Sequence, residues 1–173
     1  MTKREFMNAV ANGKKDILQV FLDALSQLAA EYCVIGGLAV NAYVEPVVSL
    51  DLDVVVAASD IEAVCGAVAE HFTIERFAYS VNLSSSESDL RIQLQTDSRY
   101  QKFIRNATGR NVLGYEMKVA TVEDVLKGKV WAYSDESRRM SKRQKDLADI
   151  ARLVEAHPDL ADKVPSPILD KLK

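Results

Sequence analysis

Two aspartates and two glycines are the residues in this chain best suited to chemistry. Asp51 and Asp53 stand two apart in Ser49-Leu50-Asp51-Leu52-Asp53-Val54-Val55-Val56. On a β-strand side chains repeat every second residue, so both carboxylates share one face with Val55, while Leu50, Leu52, Val54 and Val56 share the other. Carboxylates about 7 Å apart on one face can hold a hard divalent cation through oxygen ligands. Upstream, the apolar run Tyr32-Cys33-Val34-Ile35 ends in Gly36-Gly37. Such a turn lets backbone N–H groups approach an anion at the start of the next helix. Alone, a glycine pair is commonly a tight turn and an Asp-x-Asp a solvated strand end. In the order strand, glycine pair, short helix, aspartate strand, they read as a phosphate cradle beside metal-binding carboxylates. That is the layout of a nucleoside triphosphate site.

The elements that hold these residues follow from periodicity. Ile17, Val20, Phe21, Ala24, Leu25 and Leu28 fall on one helical face, predicting a helix over 14–31. Tyr32–Ile35 reads as a strand, Leu38–Val44 as a short helix broken at Glu45-Pro46, and Leu50–Ala57 as a strand buried on both faces. Ser59 and Glu62 have capping-box spacing before a helix faced by Ile61, Val64, Cys65 and Val68, with His71 at its end in a structural role. Residues 73–81 are expected to contain a strand, Ser84–Ser88 a turn or loop, and Leu90–Gln95 a strand with Arg91, Gln93 and Gln95 on one side. Asp97 suits the cap of a helical stretch over 98–104. Thr108–Asn111 looks like a turn and Tyr115–Ala120 a strand. Thr121 caps a further helix, and a last long helix stops near His157-Pro158.

The combination Ile35-Gly36-Gly37 with Asp51-Leu52-Asp53 resembles the signature of the nucleotidyltransferase superfamily related to polymerase beta. The wording Ile35-Gly36-Gly37-Leu38-Ala39-Val40, with Lys145-Asp146-Leu147-Ala148-Asp149-Ile150 near the end, looks most like the bacterial branch of AbiEii-type toxins and MNT-type proteins. The similarity runs over about residues 30–155 in order. It implies a mixed α/β sheet flanked by helices, with the catalytic core at about 30–120 and a C-terminal helical part at 121–173, in one domain. It also implies Mg²⁺ or Mn²⁺ at Asp51 and Asp53, with Gly36, Gly37, Ser49, Lys129 and Lys145 toward the phosphates. The implied reaction moves a nucleoside monophosphate from an NTP to an acceptor hydroxyl on RNA or protein. For toxin-like relatives an antitoxin protein is a further partner, and a homodimer is compatible with the resemblance.

Two places depart from that pattern. Val47 and Ser49 stand where many relatives carry an arginine and a threonine. The third carboxylate of the resembled family is expected, by register, at Gln93, whose amide offers one neutral carbonyl oxygen and no charge. Asp89 has the same strand parity and is the better stand-in, since Asp97 suits a cap. The competing reading is therefore a catalytically degenerate module that binds a nucleotide or a partner protein in a toxin–antitoxin or defence pair. A single-strand RNA binder is disfavoured, because aromatics are only 7% of the chain and none cluster on a basic strand.

Composition sets the frame. At 173 residues, 48% apolar and 27% charged, the chain is expected to be one globular domain with a sizeable core and no membrane span. The N-terminus lacks the apolar stretch of a secretory signal, and Cys33 and Cys65 in apolar settings suit reduced core thiols. Both point to the cytoplasm. Residues 1–90 carry 13 acids against 5 bases and residues 91–173 carry 12 against 17. An acidic half beside a basic half suits a metal and a polyanion.

Overall fold

The structure, a computed structural model, describes residues 1–173. It is a mixed α/β fold in which one seven-stranded sheet is flanked by helices. Thr2 and Glu5 cap one another's backbone groups and open α1 (Lys3–Val10), a start signal that lies outside the apolar periodicity used above. α2 (Ile17–Gln27) begins at its Asp16 cap and is shorter than the expected 14–31. Ala29 at φ +49° forms the left-handed turn that stops it. β1 (Tyr32–Ile35) leads into α3 (Gly36–Val40), which starts at the first glycine rather than after the pair. β2 (Asp51–Val56) follows, and Val54, Val55 and Val56 are fully buried, as a strand covered on both faces requires.

Two local expectations are corrected and two are refined. α4 (Ile61–Val68) is preceded by Asp60, whose carboxylate accepts the Glu31 N–H at 2.9 Å, and the Ser59–Glu62 capping box does not form. Residues 73–81 hold two strands, β3 (Thr73–Arg76) and the start of β4 (Ser80–Ser85). The serine tract is a turn only at Ser86-Glu87: Ser84 and Ser85 end β4 and Ser88 opens β5 (Ser88–Gln95), with Ser88 on the buried side of the hairpin beside Leu90 and Ile92. Thr108–Asn111 belongs to β6 (Thr108–Val112), which pairs with β7 (Tyr115–Val119), and the turn falls at Leu113-Gly114, both at positive φ.

Asp97 caps a 3-10 helix over Ser98–Asn106, as expected. Thr121 caps α5 (Val122–Ser134), and α6 (Met140–Ala156) ends at His157, before a 3-10 turn and the short α7 (Ser166–Leu169). His71 lies past the end of α4, with Nδ1 3.4 Å from the Lys15 ammonium, away from the carboxylates.

The strand order is β3-β4-β5-β2-β1-β7-β6. β2 and β5 run parallel, as do β1 and β7, and the other neighbours are antiparallel. The pairing of β2 with β5 sets Asp51 beside Arg91 and Asp53 beside Gln93. Leu52, Val54, Ile92 and Leu94 point the other way into a continuous core. α5 and α6 pack on each other and on α3. Cys33 and Cys65 are buried and unpaired, and burial pushes the Cys33 thiol up to about 12. No helix is long and apolar enough to cross a membrane.

Candidate active site

The glycine bend and the aspartate strand meet. Ile35, the last residue of β1, is the register partner of Asp53, so Gly36 sits directly against that carboxylate. Gly36 has φ +73°, and a Cβ placed on it would overlap Asp53 Oδ2. Glycine is required here twice over, by conformation and by the approach of the carboxylate. A Cβ on Gly37 would point toward Ser49 Oγ at 3.8 Å and Asp149 Oδ2 at 3.9 Å, so the second glycine faces the same space. Gly36→Ala is expected to lower the melting temperature, whereas Gly37→Ala costs far less. Thermal unfolding reads both, and equal behaviour of the two variants would contradict the contact with Asp53.

These residues line a cleft of about 420 Å³. Its floor is the polar side of the sheet, and one transverse row crosses four strands there. Asp53 pairs with Gln93, Gln93 with Asn82, and Asn82 with Glu75. Gln93 therefore stands beside Asp53, in the register the sequence predicts. Asn82 Oδ1 is buried without a hydrogen-bond partner, an acceptor aimed at no protein donor. Asp89 lies four residues earlier on β5, about 13 Å along the strand by its rise. It is exposed, outside the cleft lining, and takes the Asn12 amide at 2.6 Å. The cleft brings no third carboxylate to Asp51 and Asp53, and no cluster of three His, Cys, Asp or Glu side chains suited to a metal exists in the structure.

The two aspartates differ. Asp51 Oδ1 accepts Nε–H of Arg91 at 2.9 Å. Burial raises the Asp53 carboxyl above the usual carboxylate range; the Lys129 ammonium opposes this, Asp51 adds to it, and the net shift is upward. Ser49 is tied to its own strand, its Oγ accepting Asp51 N–H at 3.2 Å and lying 3.3 Å from the Asp51 carbonyl. Tyr100, from the 3-10 helix, also lines the cleft, and burial pushes its phenol up to about 12, so it stays a protonated donor.

The wall facing the sheet is cationic and comes from α5 and α6. Lys129 lines the cleft, but its ammonium is held by Asp149 Oδ2 at 2.8 Å and Asp146 Oδ1 at 3.1 Å. Burial alone would lower the Lys129 pKa; Asp149 and Asp146 reverse that and leave it raised. Asp146, 1% exposed, also takes Arg138 Nε at 2.7 Å, and Asp149 takes Arg152 at 2.8 Å. Lys142 and Lys145 project into the cleft from α6 with no ion-pair partner. Sequence reasoning named Lys129 and Lys145 for this wall and missed Arg138 and Lys142, although both lie in the run of five bases over 138–145. It gave Arg91 no role; the signal was its matching parity with Gln93.

No protein-family model matches the chain, and no curated protein matches it in sequence. Solved structures do match in fold. A lincosamide antibiotic adenylyltransferase, LnuA, in its lincomycin-bound form, is 12% identical with a TM-score of 0.57, over 82% of this chain and 98% of its own. ANT(2'')-Ia in complex with adenylyl-2''-tobramycin is 17% identical with a TM-score of 0.62, over 90% and 94%. An antigenic nucleotidyltransferase-like protein from Paracoccidioides brasiliensis is 18% identical with a TM-score of 0.54, over 90% of each chain. The fold is thus nucleotidyltransferase-like.

Proposed function

We propose that this chain transfers a nucleoside monophosphate from an NTP to an acceptor hydroxyl. The observation that carries the reading is the seating of Asp53 against the Gly36 bend, in a cleft whose opposite wall carries Lys142 and Lys145. An oxygen of the acceptor bonds to the α-phosphorus, the bond from that phosphorus to the bridging oxygen of the β-phosphate breaks, and pyrophosphate leaves. The hydroxyl proton passes to a carboxylate oxygen of the aspartate pair.

Asp51 and Asp53 fit a Mg²⁺ ion, which is ordinarily held by one or two carboxylates together with substrate phosphates and waters. When bound, the ion supplies Lewis-acid stabilisation of the charge that develops on the reacting oxygens. The chain itself does the positioning. The Gly36-Gly37 backbone admits the phosphates close to Asp53, and Lys142 and Lys145 balance their charge. The clamped Lys129 ties α5 to α6 within the opposite wall. Catalysis of this kind rests on placement and preorganised electrostatics rather than on a covalent intermediate.

The acceptor end of the floor supports a neutral or cationic small molecule over a polyanion. Beyond Gln93 it carries Asn82, Ser84, Gln95 and Glu75 and no lysine. LnuA and ANT(2'')-Ia, which share the fold, are seen with a lincosamide and an adenylylated aminoglycoside. An RNA or protein hydroxyl is the alternative acceptor. The second reading, a nucleotide-binding module without transfer, is favoured by one observation, the amide of Gln93 where a third carboxylate would lie.

The test is transfer of an α-phosphate label from each NTP, in Mg²⁺, to polyhydroxylated amines, RNA and protein. Label on the small acceptors, lost in Asp51→Asn and Asp53→Asn, is expected. An NTP-dependent rise in melting temperature with no label on any acceptor would replace transfer by the binding module.

A further inference from the structure

We infer that Arg91 takes the place of a second metal ion in this cleft, so that transfer runs with one divalent cation. The inference rests on the nucleotidyl-transfer reading. Two-metal sites clamp the attacking and leaving oxygens symmetrically, and a second ion needs anionic ligands of its own. Here the place beside Asp53 is held by the uncharged Gln93, and no cluster of three acidic, histidine or cysteine ligands exists. Beside Asp51, at the same register position on β5, stands Arg91, with Nε–H on Asp51 Oδ1 at 2.9 Å. A guanidinium carries five N–H donors in a rigid fork and is always charged. One of the five is used, and the side chain is 67% exposed along the cleft.

The charges balance. Three carboxylates with two divalent ions leave a single positive charge toward the triphosphate. Asp51 and Asp53 with one divalent ion and Arg91 leave the same. In this chain the uncharged Gln93 and the charged Arg91 are thus complementary in charge. Arg91 stays on Asp51 and presents its remaining N–H groups to the phosphate or acceptor oxygen. The site then has no need of a second ion.

Mn²⁺ bound per chain is counted by electron paramagnetic resonance, with a saturating NTP analogue that cannot be cleaved between its α and β phosphorus. One ion is expected in the natural chain and two in the double variant Arg91→Met with Gln93→Glu. Arg91→Met alone is expected to bind Mn²⁺ more tightly, because Asp51 is freed, while losing about 10²–10³-fold in transfer, the effect of removing one preorganised donor. Arg91→Lys should recover part of that loss. Melting temperatures check that each variant folds. Two ions in the natural chain, or Arg91→Met with weaker Mn²⁺ binding or an unchanged rate, would overturn the inference and leave nucleotidyl transfer standing. A natural chain that binds neither the analogue nor Mn²⁺ would overturn both.

Discussion

Asp53→Asn is expected to cut nucleotidyl transfer by about 10³-fold or more and, in metal-free buffer, to make the fold more stable. The first effect follows from losing the member of the carboxylate pair seated against Gly36, since metal-assisted charge stabilisation is worth several kcal/mol and each 1.36 kcal/mol is about tenfold in rate. The second follows from its pKa. Burial holds the Asp53 carboxyl above its unfolded value. Between those two values the folded chain binds more protons than the unfolded one, so stability falls as pH rises through that window, and above it the charged carboxylate remains a cost. Asparagine removes that cost. At neutral pH the variant should therefore melt above the natural chain, and the difference should close in acid below the ordinary carboxylate range. Adding Mg²⁺ and an NTP should reverse the order, because ligand stabilises only the chain that binds it. A variant that melts lower at neutral pH without metal would show that Lys129 holds Asp53 ionised at no cost.

Asp146→Ala is expected to be the most destabilising single change at the cleft. Asp146 is 1% exposed and receives both Lys129 and Arg138. Removing one partner of a buried ionic cluster typically costs about 3–5 kcal/mol, because the other charges stay buried without compensation. For a domain of this size that is roughly 6–20 °C in melting temperature. Lys129→Met should cost less than half as much, since Asp146 retains Arg138 and Asp149 retains Arg152. Thermal unfolding of both variants checks the ordering. Equal losses would mean that packing of α5 on α6, rather than the ion pairs, carries the stability.

The parts of the site written in short range were legible. Strand alternation placed Asp51 and Asp53 on one face, and the glycine pair after an apolar run placed the bend. Parity on 90–95, together with the family resemblance, put Gln93 beside Asp53, and the β2–β5 register has them paired. What failed needed contacts between distant segments. Asp89 shares parity with Gln93 but lies too far along β5, and Asn12 from the end of α1 holds it. Lys129 reads as a phosphate contact until α6 packs on α5 and brings Asp146 and Asp149 to it, 17 and 20 residues later in the chain. Glu75 and Asn82 were hidden because residues 73–81 were read as holding one strand, whereas β3 and β4 divide there, which concealed the polar row across the sheet. The Arg91–Asp51 pair needed a parallel pairing between strands 40 residues apart.

The carboxylates rise from the sheet, whereas the free lysines hang from α6 near the end of the chain. A fragment covering only 30–120, where the sequence signature is strongest, would keep the anionic floor and have nothing opposite it. Such a piece would repel a triphosphate instead of receiving one. The smallest working unit therefore extends to residue 156 at least, and an insertion between α5 and α6 would detune the opening across which the two halves face each other.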